Sequence, residues 1–175
     1  MIRKPVYAGT WYPVSYEEAK EYLNPTLKKY RAYGAVCPHA GWVYSGKTAG
    51  SVFSSLEAAD TYFLIGPNHS ARGTATSIFP SGQWEMPFGT LNIDTEAAAL
   101  MLKQSEFIEE NFIAHYHEHA LEVQCPFIIM ANPQAHIVPL TMRDYSREVC
   151  FDVGRSLADA IRKSPHKKSL MIASS

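Results

Sequence analysis

The chain has 175 residues, a formal net charge of −1 at pH 7 and 46% hydrophobic residues. This length and composition predict one globular domain over residues 1–175 and exclude an intrinsically disordered chain. The near-zero charge and the lack of an apolar run of transmembrane length argue against nucleic acid and membrane as partners, and three widely spaced cysteines favour a reducing cytoplasm.

Helix-like and strand-like segments alternate along the chain. Residues 15–18 have the pattern of a capping box at the start of a helix, and Asn24 before Pro25 indicates a second helix start or a kink. Apolar runs predict strands near residues 34–38, 61–65, 135–142 and 170–173. Helices are predicted near residues 45–56, near 96–103 from a cap and strong helix formers, near 118–130 with an interruption at Pro126, and near 146–163 from apolar residues spaced by four. The basic run over residues 162–168 is interpreted as a solvated helix end and turn.

Residues 76–94 interrupt this alternation. They contain two short strand-like stretches, which predict an additional β segment, here called the β excursion, for which a hairpin is one possible form. The last predicted strand, residues 170–173, is apolar on both faces and is expected in the interior of a sheet. The overall pattern predicts the α/β class, with a mostly parallel central sheet flanked by helices.

Two histidines follow predicted strands directly, in loops rich in glycine and proline. His39 follows the apolar residues 35–37, and His69 follows the apolar residues 62–65. Ligands of open α/β sheets bind beyond the carboxyl ends of the strands, so these two imidazoles are expected to converge on one metal ion.

The loops around these histidines resemble the MEMO family, which includes the protein B-like members of the AmmeMemoRadiSam system. A more distant similarity connects them to the catalytic subunits of class III extradiol ring-cleaving dioxygenases. The matching stretches occur in the family's order and spacing and are Tyr7-Ala8-Gly9-Thr10-Trp11-Tyr12-Pro13, Pro38-His39-Ala40-Gly41-Trp42-Val43-Tyr44-Ser45-Gly46, Gly66-Pro67-Asn68-His69 and Glu118-His119-Ala120-Leu121-Glu122-Val123-Gln124.

The resemblance implies an extradiol-dioxygenase-like fold of which this chain is the N-terminal part, with the C-terminal part missing. It implies that His39 and His69 are metal ligands and that the third ligand, a cysteine or a carboxylate in the family, lies beyond Ser175. Fe(II) or copper is the expected metal, and zinc is less favoured. With two defensible ligands, weak and exchangeable metal binding is expected of these residues alone.

A third histidine carries the candidate catalytic role. His119 and Glu122 are three residues apart on a predicted helix and share one of its faces, so they are candidates for proton transfer or for a bond to a metal-bound oxygen. The alternative is a buried polar cluster that holds this helix against the metal loops. His115 and His117 are expected in an exposed polar loop, and Tyr12, Trp42 and Tyr44 are expected either to line the pocket or to pack under it.

Three functions remain open from the sequence. The first is a metal-dependent oxidoreductase, with His39 and His69 holding iron or copper. The second is a non-enzymatic module that binds a peptide or protein partner in the dioxygenase-like pocket, which the resemblance permits because some family members act in signalling. The third is a metal-assisted hydrolase. The expected partners are a small-molecule or peptide ligand and further copies of the chain in a homo-oligomer.

Overall fold

A computed structural model describes residues 1–164 and 168–175. The strands are β1 (Ile2–Arg3), β2 (Gly34–Cys37), β3 (Thr61–Pro67), β4 (Thr76–Ile78), β5 (Gln83–Met86), β6 (Gly89–Ile93), β7 (Glu109–Glu110), β8 (His136–Met142) and β9 (Ser169–Ser174). The helices are α1 (Tyr16–Lys20), α2 (Trp42–Ser55), α3 (Thr95–Gln104), α4 (Ile113–Tyr116), α5 (His119–Glu122), α6 (Cys125–Ala131) and α7 (Arg147–Lys163). The turn predicted around His166 and Lys167 lies outside the described residues.

The strands form one sheet in the order β1-β5-β6-β8-β3-β9-β2, with β4 paired to both β7 and β8. Strands β2, β9, β3, β8 and β6 run parallel, and antiparallel pairs occur at β4–β8 and β5–β6. The predicted α/β class with a largely parallel sheet flanked by helices is therefore confirmed, and the resemblance to the dioxygenase fold is consistent with it.

Strand β9 occupies the interior position that its apolar sequence predicts. Ala173 of β9 is in register with Val36 of β2 on one side and with Ile65 of β3 on the other. Leu170 and Ile172 are buried, and fully burying an aliphatic side chain of this size stabilises the fold by about 1.5–3 kcal/mol. Because β9 separates β2 from β3, the two strands that lead to the candidate ligand loops are not direct neighbours.

The β excursion between β3 and α3 contains the predicted hairpin. Strands β5 and β6 pair antiparallel, with Trp84 opposite Leu91, and both of these side chains are buried. The preceding short strand β4 instead adds to β8, where Ser77 lies opposite Thr141. The excursion thereby extends the sheet beyond β8 and leaves the carboxyl ends of β2, β9 and β3 together at one edge.

Helices cover the sheet and pack in pairs, α2 with α6 and α3 with α7. Helix α7 buries Val149, Val153 and Leu157, which recur every four residues and thus lie along one face of the helix. Among the described residues, none of the helices is both long and apolar enough to cross a bilayer.

Candidate metal centre

Three histidines from separate parts of the chain meet at the carboxyl ends of β2 and β3. His39 and His69 each lie two residues beyond their strands, and His119 is the first residue of α5. One ring nitrogen of each lies within 4.8 Å of one ring nitrogen of the other two. Nitrogens that share a first-row ion are each about 2.0–2.1 Å from it, so the three ring nitrogens lie near the mutual separation that one shared ion requires.

The rings are arranged as a compact group. The ring centroids of His69 and His119 are 4.5 Å apart with nearly parallel planes, and His39 lies 5.3 Å from His69 and 5.6 Å from His119. The His69 side chain is 45% exposed and that of His119 is 17% exposed. The cluster is therefore open to solvent on the His69 side, which lets an ion or a small ligand reach it.

The His39 loop is held by hydrogen bonds to segments distant in sequence. The Gln124 side-chain amide donates to the Pro38 carbonyl (3.0 Å), and the Trp42 indole donates to the Val123 carbonyl (3.0 Å). The Ser174 hydroxyl lies 3.3 Å from His39 Nδ1. These contacts join the loop to α5, to the turn after it and to the end of β9.

The His69 loop is attached to a buried carboxylate. Both the backbone N–H and ring Nδ1 of His69 contact the Glu118 side chain, at 2.6 and 2.8 Å. The same carboxylate accepts from the Ala120 N–H (2.9 Å) and thereby caps the start of α5. Glu118 is 1% exposed, and the sequence analysis assigned no function to it. The sequence feature that could have identified Glu118 is its position as an acidic residue at the start of a helix, directly before His119.

His119 faces the cluster and its aromatic wall, whereas Glu122 faces the N-terminal segment. The His119 ring lies 4.3 Å from the Trp11 ring and 5.7 Å from the Tyr7 ring. Glu122 is fully buried and accepts hydrogen bonds from the Tyr12 hydroxyl and from the Val6 and Tyr7 N–H groups. Its carboxylate also pairs with the Arg3 guanidinium at 2.7 Å. These contacts attach α5 to the N-terminal segment and not to the loops of His39 and His69.

The electrostatics of the cluster favour neutral imidazoles at His39 and His119 beside an ionised Glu118 carboxylate. Burial lowers the pKa of His39, and the neighbouring His69 lowers it further. Burial also lowers the pKa of His119, against the opposing effect of Glu118. Burial acts to raise the pKa of Glu118, but the hydrogen bonds from Ala120 and His69 outweigh it and hold this pKa below its usual value. Neutral imidazole is the form that binds metals.

Several expectations about the surroundings of the site need correction. His115 is completely buried instead of exposed, while His117 is exposed as expected. Tyr12 and Trp42 are buried and pack under the loops, and the Tyr44 side chain points to solvent at 88% exposure. The aromatic residue that touches the cluster most closely is Trp11.

Comparison with known proteins places this geometry in a family. Residues 3–175 match the family described as Memo-like protein. The chain is similar to a MEMO1 family protein of Methanosarcina acetivorans, at 35% identity over 180 residues that cover 99% of this chain and 66% of that protein. It is also similar to MEMO1 family proteins of Nitrosopumilus maritimus, at 34% identity over 100% of this chain and 68% of that protein, and of Aquifex aeolicus, at 34% identity over 93% and 62%.

The chain spans about two thirds of the length of these relatives, 66% for that of Methanosarcina acetivorans. The matched region covers nearly the whole chain, 99% and 100% for the first two of these relatives, and so includes the segments that carry the three histidines. The chain therefore belongs to the Memo-like protein family.

Proposed function

We propose that the chain forms a first-row metal centre, with His39, His69 and His119 as its nitrogen donors, and that this centre serves an oxidoreductase using iron or copper. The observation that carries the proposal is the convergence of three ring nitrogens within 4.8 Å of one another from two loops and the start of α5. The lowered pKa of His39 and of His119 supports it, because both imidazoles are then neutral near pH 7.

The donor set fits borderline-soft metals better than hard ones. Neutral imidazole suits iron, copper, nickel and zinc, and copper binds most tightly to a nitrogen site of this kind. When bound, a redox-active ion supplies electron transfer and open positions for oxygen or a substrate. In this proposal His39 and His69 would be the principal ligands of the ion, and His119 would be the third nitrogen donor. Glu122 acts by anchoring α5 through Arg3 and Tyr12.

Titration calorimetry tests the donor set. We expect one ion of Cu(II), Fe(II) under argon, or Zn(II) per chain, and we expect His39→Ala or His69→Ala to weaken binding by at least about 100-fold, which corresponds to about 2.7 kcal/mol. His119→Ala is expected to weaken it by about 10- to 100-fold. His117→Ala is the matched control, because His117 is exposed and lies outside the cluster. Tight binding that survives all three cluster substitutions would disprove the site.

Oxygen uptake tests the oxidoreductase activity. The iron- or copper-loaded chain is supplied with catechols, and the zinc-loaded chain is the control because zinc has no redox chemistry. Uptake that requires the redox metal and disappears in His39→Ala supports the proposal. The absence of uptake at full metal occupancy, both in this chain and in a longer relative, contradicts it.

A metal-assisted hydrolase is the second candidate, because three imidazoles on one ion also match the donor set of some catalytic zinc sites. In that case the zinc-loaded chain would hydrolyse activated esters in a His69-dependent manner, and the copper-loaded chain would have no advantage. The exposed side of His69 leaves room for a small-molecule or peptide ligand under either candidate.

We also propose that residues 1–175 act as a single domain in the cytoplasm. The buried residues of the described chain form one contiguous core cluster. Cys37, Cys125 and Cys150 are free thiols, which suits a reducing compartment. Limited proteolysis that releases a stable fragment much shorter than the chain would argue against the single domain.

A further inference from the structure

We infer that Glu118 is a positioning residue that selects the tautomer of His69 and so determines which ring nitrogen faces the metal. Glu118 contacts His69 twice, through the backbone N–H at 2.6 Å and through ring Nδ1 at 2.8 Å. An ionised carboxylate only accepts hydrogen bonds. Ring Nδ1 of His69 must therefore carry a proton, and in the neutral imidazole Nε2 is then the nitrogen with the lone pair that a metal needs.

The two contacts also fix the direction of the ring. One oxygen of Glu118 binds the backbone of His69 and the other binds its side chain, so rotation of the imidazole breaks a short hydrogen bond to a buried carboxylate. Hydrogen bonds to charged groups are stronger than those between neutral groups, so this contact holds the ring in place. His119 Nδ1 lies 3.6 Å from the same carboxylate, which attracts a protonated Nδ1 toward Glu118 and leaves Nε2 of this ring free as well.

The Ser174 hydroxyl gives His39 the same orientation. Its single proton is donated to the Ala120 carbonyl at 2.6 Å, and its oxygen accepts from the Gln124 amide at 2.9 Å. Ser174 therefore has no proton left for His39, and the contact at 3.3 Å requires that His39 Nδ1 donates. His69 and His39 thus both present Nε2, and the last residue of β9 contributes to the site through His39.

The role of Glu118 rests on the proposed metal centre, but the tautomers can be measured without metal. Long-range ¹H–¹⁵N NMR spectra of the metal-free wild-type chain at neutral pH should show the Nδ1–H tautomer for His69 and for His39. An Nε2–H tautomer at His69 would overturn the inference. A chain that has these tautomers but binds no metal would leave the positioning intact and would contradict the proposed function.

Glu118→Gln tests the carboxylate directly. A carboxamide cannot accept on both sides, so its NH₂ group opposes either the His69 N–H or ring Nδ1. We expect His69 to shift toward the Nε2–H tautomer and metal affinity to fall by about 10- to 100-fold, the usual effect of losing a hydrogen-bonding partner of a ligand. Unchanged tautomer and affinity in this variant would refute the role of Glu118.

Two further variants separate geometry from charge and from folding. Glu118→Asp keeps the charge but is one methylene shorter, so it cannot reach both His69 groups and should weaken metal binding as Glu118→Gln does. Glu110→Gln removes an exposed carboxylate and should change neither tautomer nor affinity. Circular dichroism confirms folding. A Glu118→Asp chain with wild-type affinity would mean that charge alone, and not position, explains the loss in Glu118→Gln.

Discussion

At the scale of single residues, a buried ion pair connects the N-terminus to the helix that carries His119. Arg3 and Glu122 are both fully buried, and their side chains pair at 2.7 Å. The Arg3 guanidinium also donates to the carbonyls of His115 and Glu118. Removing one partner of a buried pair leaves an uncompensated charge, which is far more costly than losing an exposed pair.

We expect Arg3→Met to lower the free energy of unfolding by about 3–5 kcal/mol, because it leaves the Glu122 carboxylate buried without its cation. Lys4→Ala is the matched control, since Lys4 makes an ion pair with Glu85 at the surface and its loss should cost less than about 1 kcal/mol. Urea denaturation of both variants measures the difference. Equal effects would show that the Arg3 pair is not a structural anchor.

The buried His115 makes the free energy of unfolding depend on pH, and its pKa gives the direction of that dependence. Burial, assisted by the nearby Arg3 guanidinium, lowers the pKa of His115 to about 3, whereas an unfolded histidine has a pKa of about 6.5. Between these values the unfolded chain takes up a proton and the folded chain does not. Protonation of His115 therefore does not affect the free energy of unfolding above about pH 6.5. Below that pH it lowers the free energy of unfolding, and the loss grows as the pH falls toward 3.

For His115→Gln, we expect the free energy of unfolding to fall less steeply between pH 7 and pH 5 than in the wild-type chain. The slopes should differ by up to about 1.4 kcal/mol per pH unit, the value for one proton. The exposed His117→Gln variant should keep the wild-type slope. Chemical denaturation at several pH values gives the slopes, and parallel curves for wild type and His115→Gln would contradict a buried neutral imidazole.

Local sequence signals located part of the candidate site, and long-range contacts supplied the rest. The loops that hold His39 and His69 were recognisable because each follows an apolar strand. The place of His119 in the same cluster depends on how α5 docks, which Arg3 controls from the other end of the chain. The link between Glu118 and His69 spans 49 residues, so no spacing rule could reveal it.

At the scale of elements, two helix glycines have opposite surroundings. Gly50 in α2 lies against the backbone of Tyr22, whose carbonyl oxygen would be only 2.0 Å from an added Cβ. Gly154 in α7 has no neighbouring atom within 4 Å of that position. Close packing of α2 against the segment after α1 therefore requires glycine, while the exposed face of α7 does not.

Gly154→Ala should raise the free energy of unfolding by about 0.5–1 kcal/mol, because alanine favours a helix interior over glycine. Gly50→Ala should lower it by about 1–3 kcal/mol, because the methyl group forces α2 away from the Tyr22 backbone. Thermal unfolding of the pair measures both signs. If Gly50→Ala stabilised the chain, α2 and the Tyr22 backbone would not be in close contact.

A helix start could be predicted from the sequence where a single side chain accepts a hydrogen bond from a backbone N–H group in the first turn. Asp94 accepts from the Ala97 N–H and Ser146 accepts from the Val149 N–H, at the beginnings of α3 and α7. The capping box predicted at residues 15–18 is absent, since Ser15 makes no side-chain capping hydrogen bond. At Asn24 the chain forms a turn, in which the side chain accepts from the Thr26 N–H, and no helix follows.

At the scale of the whole molecule, the strand order could not be derived from the sequence. Apolar parallel strands offer equivalent hydrogen-bonding edges, so hydrophobic patterns identify β2, β3 and β9 without ordering them. Residues 170–173 have the interior position expected of them, but their two neighbours could not be named from the sequence; these are β2 and β3, which pair with the two edges of β9. Strand β2 is instead the end of the described sheet on that side.

Homo-oligomer formation remains a prediction, and β2 is where we expect it. Its outer edge is unpaired in the described sheet, and the side chains of Val36 and Tyr33 are 67% and 92% exposed. Exposed apolar edges pair with other chains, and lysine suppresses this. Sedimentation velocity should show association of the wild-type chain and less of it for Val36→Lys, with Ile113→Lys as the control at another exposed site. A monomeric wild-type chain at all concentrations would contradict this.

The position of β9 between β2 and β3 also implies an order in which the strands of the sheet are assembled. His39 and His69 are synthesised before β9, which is the last of the described strands in chain order. In the folded sheet β2 and β3 are two strand spacings apart, about 10 Å, because β9 lies between them. Until β9 inserts, His39 lacks Ser174 and the two ligand loops have no fixed separation. In terms of the proposed metal centre, the ligand loops of His39 and His69 reach their final separation only after β9 has inserted between β2 and β3.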